Sequence, residues 1–98
     1  MIANAQEARK RAALNKLYNF DGQIMSMAEF FNLNPPIRKI ATTRNHETKR
    51  RELEYKPLSA PKTEYSIYYK DGDNERGIGV PKMVFDHYDI ERIDVKAY

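Results

Sequence analysis

Across Pro57 and Pro61 the apolar residues of this chain change their period. Before these prolines they recur three and four apart, the spacing of one helix face. After them they alternate, the spacing of one strand face. Proline removes a backbone donor and turns the preceding residue away from helical angles, so no helix crosses Lys56 to Thr63. The expectation is an α+β fold with a basic helical region at 1–56, a Pro-containing linker at 57–63 and an acidic β-hairpin region at 64–98, packed as one compact domain.

Ala3 to Phe20 reads as a first helix, Ala-rich, with a Glu7 to Arg11 pair and an apolar stripe of Ala13, Leu14, Leu17 and Tyr18. Asp21-Gly22 is expected to end it, with Gly22 as C-cap residue. Ser26-Met27-Ala28-Glu29 has the S-x-x-E pattern of a capping box, and Met27, Phe30 and Phe31 would face the core. Asn34 with Pro35 and Pro36 reads as the start of a further helix through Ile37, Ile40 and Ala41, to about His46 or weakly on through Lys49 to Tyr55. Past the linker, Glu64 to Lys70 and Arg76 to Val80 form a hairpin whose loop is longer than two residues. A short helix follows Pro81, and Ile90 to Val95 alternates as a last strand.

Charge is divided along the same boundary. Residues 1–63 hold 12 Lys and Arg against 6 Asp and Glu, while residues 64–98 hold 5 against 8. The densest basic stretch runs from Arg38 to Lys56, and a phosphate backbone is the obvious ligand for it. Ser26 to Ala41 also resembles a helix-turn-helix. Ala28 supplies the small residue where the helices cross, Asn32 tolerates the turn, Leu33 plugs the core, and Ile37 and Ile40 anchor the second helix. It departs from that motif at two points: Ile37 comes one residue early, and Pro35 and Pro36 remove N–H groups that would meet a phosphate. The resemblance implies that Arg38, Lys39, Thr42, Thr43, Arg44 and Asn45 reach base edges, with Lys49, Arg50 and Arg51 on phosphates.

The second half suggests a different kind of partner. Tyr65, Tyr68 and Tyr69 precede the acidic turn containing Asp71, Asp73 and Glu75, and such aromatic, acidic surfaces anchor protein interfaces or mimic nucleic acid. Alternation puts Tyr65, Ile67 and Tyr69 on one face and Tyr68 on the other, so a stacking platform for single strands would need Tyr68 alone or Tyr65 with Tyr69. The turn lacks the spacing of a calcium loop. Asp86, His87 and Asp89 read as a surface cluster rather than a metal or acid–base site.

Composition narrows the class. There is no Cys, so neither disulfides nor thiolate metal sites arise. Leu, Ile, Val and Phe together make 20 of 98 residues. The core must therefore be small and partly aromatic, which favours help from a partner or from dimerisation. No apolar run spans a membrane, and Met1 to Arg11 has no apolar core of a signal peptide, so a cytoplasmic setting is expected. The sequence-based expectation is a small non-enzymatic nucleic-acid-binding protein without cofactor or metal, of the viral or phage accessory type. The alternatives are a protein-binding inhibitor or adaptor and a subunit of a larger assembly, including a homo-oligomer.

Overall fold

The computed structural model describes residues 5–44 and 61–97. The α+β class is observed. Helix α1 (Ala5–Asn15) opens with Glu7, whose carboxylate pairs with Lys10 at 3.2 Å, and packs inward through Ala13 and Leu14.

It stops at Asn15, short of the Phe20 expected from spacing. Residues 17–26 instead form a hairpin of β1 (Leu17–Phe20) and β2 (Gln23–Ser26). Asp21 and Gly22 are its turn, with φ of 54° and 93°. Two positive φ values in succession mark a type I′ turn, whose twist matches the strands it joins. The Gly22 N–H donates to Asn19 Oδ1 at 2.6 Å and closes the turn. Asp21-Gly22 is therefore a strand reversal and not a helix C-cap.

Helix α2 (Met27–Leu33) begins as the capping pattern predicts: the Glu29 N–H donates to Ser26 Oγ at 3.1 Å. Met27, Phe30 and Phe31 are buried. Asn34 closes this helix rather than opening another, donating from its backbone N–H and its Nδ2 to the Phe30 carbonyl at 2.8 and 3.0 Å.

Pro36–Arg44 is strand β3, not a helix, so the helix-turn-helix pair does not form. Ile37, Ile40, Thr42 and Thr43 are β-branched and suit a pleated surface better than a helix. Strands β4 (Lys62–Asp71) and β5 (Asn74–Gly79) form the expected hairpin, but through a two-residue turn, with Gly72 at φ 66°. Lys62 and Thr63, expected in the linker, belong to β4. Helix α3 (Lys82–His87) starts from Pro81, whose carbonyl accepts from the Val84 and Phe85 N–H groups at 3.0 Å each. Strand β6 (Glu91–Ala97) is the last element.

The four-stranded sheet has the order β5-β4-β3-β6. β3 pairs antiparallel with β4 and parallel with β6, so strands from both sides of residues 57–60 share one sheet. Lys39, Ala41, Ile67 and Tyr69 lie on one sheet face and are buried. Phe30 stands edge-on to Tyr69 with centroids 5.0 Å apart, and Tyr65 packs on Phe85 at 4.8 Å. Phe20 stacks on Phe30 at 4.2 Å, which brings in the β1–β2 hairpin. Helices and hairpin thus cover the same face. Among the described residues no helix is long and apolar enough to cross a membrane.

Candidate functional site

Period-two geometry sorts the β3 residues named above onto opposite faces. Lys39 and Thr43 point to the covered face. Arg38, Thr42 and Arg44 point to the open one. Asn45, Lys49, Arg50 and Arg51 lie outside the described residues.

Lys39 is only 8% exposed. Its Nζ donates to the Phe85 carbonyl at 2.9 Å and the Tyr88 carbonyl at 2.8 Å, and sits 4.6 Å from the centre of the Phe85 ring. The last carbonyls of a helix have no partner within it. Lys39 supplies one for α3, so its charge serves the fold. Thr43 exchanges a hydroxyl hydrogen bond with Thr63 at 2.9 Å across β3 and β4.

The tyrosines divide as alternation predicts. Tyr65 and Tyr69 pack into the covered side. Tyr68 lies on the open face, across from Gly77 on β5. A Cβ at Gly77 would come within 2.5 Å of the Tyr68 ring. The half-buried ring therefore lies over the strand with one side against Gly77. Glycine is needed at this close approach.

The rest of the open face follows from register. Ile40 is level with Ser66 on β4 and Ile93 on β6, and Thr42 is level with Glu64 and Val95. Ile93 and Val95 are 36% and 39% exposed. Neither they nor Ile40 join the buried cluster. An apolar strip thus crosses the sheet from Tyr68 through Ile40 to Ile93 and Val95. Ion pairs edge it: Arg38 reaches over β4 to Glu75 and lies 4.0 Å from Glu91, and Arg44 lies 4.0 Å from Glu64. Each arginine of the open face therefore has a carboxylate beside it.

Sequence reasoning missed Ile40, Ile93, Val95 and Gly77. A usable signal existed for Gly77: Gly77-Ile78-Gly79 in a return strand puts both glycines on one face, opposite Tyr68.

Of the acidic turn, Glu75 serves Arg38, Asp71 faces Arg76 at 3.3 Å, and Asp73 is exposed at the tip. Arg76 also meets Asp21 at 3.6 Å. The Asp71 hydrogen bond, helped by the negative charges around it, holds the Arg76 pKa above its ordinary value. These three residues border a cleft of about 490 Å³ between the β1–β2 hairpin and the sheet, with Phe20, Phe30 and Tyr69 in its wall. Most of its polar groups are engaged internally: Asn19 with Gly22, Asn34 with Phe30, Arg76 with both aspartates. The open sheet face, with exposed Ile93 and Val95, is the stronger candidate. Asp86 of the other acidic cluster is held by Lys82 at 2.7 Å, which in turn raises the Lys82 pKa. Comparison with protein-family models, curated proteins and solved structures gave no match to this chain.

Proposed function

We propose that this chain is a non-catalytic protein-binding module that docks a partner on the open face of its four-stranded sheet. One observation carries this reading. The face leaves Ile93 and Val95 exposed and Tyr68 and Ile40 half-buried among the described residues, while its arginines already sit beside glutamates. An apolar patch edged by polar groups is how soluble proteins present an interaction site. The fitting partner is a folded protein with its own apolar patch bordered by charges of both signs. Arg38, Glu75 and Glu91 would form the polar rim, and Tyr68 is the aromatic anchor that such interfaces favour.

A second reading, binding of single-stranded nucleic acid on the same face, is favoured by the place of Tyr68 there, since an aromatic ring stacks any base. One set of measurements separates the two. Immobilised wild-type protein is compared with Ile93→Asp and with Leu33→Asp, a control at an exposed apolar site on α2. Under the protein-binding reading, capture of a partner is lost in the first variant and kept in the second. Equal capture by both ends that reading. In parallel, the protein is titrated with labelled single strands at low and at physiological salt. Salt-sensitive binding that Tyr68→Ala abolishes and Tyr68→Phe retains would favour the second reading.

A further inference from the structure

Strand β6 bonds to β3 on one side only. Among the described residues no strand pairs with its outer edge. Proteins commonly blunt such an edge with proline, a bulge, a covering segment or charges that repel a second strand; the charges of β6 alternate in sign and can pair instead. β6 has no proline, and its pairing with β3 runs without a register break from Glu91 to Ala97. The opposite edge, β5, is shorter, contains two glycines and has the Asp21 turn beside it through Arg76.

We propose that two copies of this chain pair antiparallel through their β6 edges, centred on Val95. This goes beyond docking on the face, because it uses the strand's free backbone groups. Charge pattern selects the register. On the covered side β6 carries Arg92, Asp94 and Lys96, alternating in sign. In a two-fold antiparallel pair, residues equally distant from the centre oppose each other.

Centred on Asp94, that aspartate meets its own copy and Arg92 meets Lys96, so every charged pair on the covered side repels, although Ile93 meets Val95 on the open face. Centred on Ile93, Arg92 meets Asp94, but Glu91 falls against Val95 on the open face. Centred on Val95, Asp94 meets Lys96 of the other copy twice. On the open face Val95 meets Val95 and Ile93 meets Ala97. Only this last register matches charge on one face and apolar surface on the other. The Arg92–Asp94 contact within the strand, at 3.0 Å, survives with Asp94 shared between two cations.

A two-fold contact uses the single free edge of β6 on both copies and therefore closes at two. The result is one continuous sheet of doubled width, with both open faces on the same side. A ladder of five residues per strand is smaller than a standard stable interface, so the dimer must dissociate on dilution.

Sedimentation of the full chain, from low micromolar to several hundred micromolar, tests this. The mass should rise from 11.5 kDa toward twice that value. Lys96→Glu should hold the protein monomeric throughout, with unchanged far-ultraviolet circular dichroism. The double variant Asp94→Lys with Lys96→Asp should restore the dimer, because opposite charges again oppose. In the Ile93-centred register Lys96→Glu would leave the dimer intact and the double variant would break it, with lysine against Arg92. A monomer at every concentration overturns the proposal, as does a dimer indifferent to Lys96→Glu or a double variant that fails to recover. Tyr68→Ala should leave the dimer intact, so failure of face docking and failure of edge pairing read separately.

Discussion

Lys39→Met tests the placement of a charge in the interior. Methionine keeps most of the apolar stem and can lie against the Phe85 ring, so packing loss is small. What disappears is the donor to the Phe85 and Tyr88 carbonyls. Replacing a buried ion pair by apolar groups is often neutral, because both charges leave together. Here the acceptors are backbone carbonyls, which no side-chain substitution removes. The Phe85 carbonyl is buried, and a stranded buried acceptor costs about 1–3 kcal/mol. The Tyr88 carbonyl is only partly buried, and water can replace the lysine there. Relief from burying an ammonium offsets part of the loss. The net expectation is about 2 kcal/mol, a large share of the roughly 5–15 kcal/mol that holds a domain together.

For a chain of this length that is a fall in Tm of about 8–16 °C, at about 4–8 °C per kcal/mol. Lys62→Met, at an exposed lysine at the start of β4, is the control and should stay within about 0.5 kcal/mol. Thermal unfolding followed by circular dichroism reads both. Hydrogen exchange at the Val84 and Phe85 amides should speed up in Lys39→Met, since α3 loses its terminal support. If Lys39→Met melts with the control, the assignment of Lys39 as the cap of α3 is wrong.

Three further outcomes follow from particular contacts. Gly77→Val should lift the Tyr68 ring from the sheet and cost about 1–3 kcal/mol, seen as a lower Tm with a changed Tyr68 ring signal by NMR; an unmoved ring would contradict its contact with Gly77. Gly22→Ala places a Cβ at φ 93° and should cost about 1 kcal/mol in denaturant unfolding, although no atom lies within 4 Å of it; the loss is one of backbone angle and not of space. Burial raises the Tyr88 pKa above its ordinary value of 10.0, so the folded state holds that proton longer than the unfolded chain. Its contribution is complete below pH 10 and is lost as pH rises through the folded pKa. Tyr88→Phe should therefore flatten part of the alkaline fall in stability, measured by urea midpoints across that range.

Local signals in this sequence were reliable where the deciding interaction is itself local. Ser26 caps α2 through the residue three ahead, Pro81 starts α3, and the alternation of Tyr65, Ile67 and Tyr69 puts the right side chains inside. They failed where one pattern satisfies two structures. Asp-Gly serves as a helix stop or as a hairpin turn, and the choice depends on whether Leu17–Phe20 finds a strand to pair with. Ile37, Ile40 and Ala41 fit helical spacing as well as they fit β3.

What disguised β3 most is Lys39. On a half-buried strand the inward positions should be apolar, and a lysine in the inward set Lys39, Ala41 and Thr43 breaks that pattern. Its place becomes intelligible only once α3, more than forty residues later in the chain, presents two carbonyls to its ammonium. The same distance hid the candidate site. Tyr68 could be assigned to the outward face from its neighbours alone. That Ile40, Ile93 and Val95 share this face required the parallel pairing of β3 with β6, which no adjacent residues encode. A charge run read along the chain predicts a surface, but pairing decides which charges reach it. In β3 it sends Arg38 and Arg44 to glutamates on the open face and Lys39 into the core.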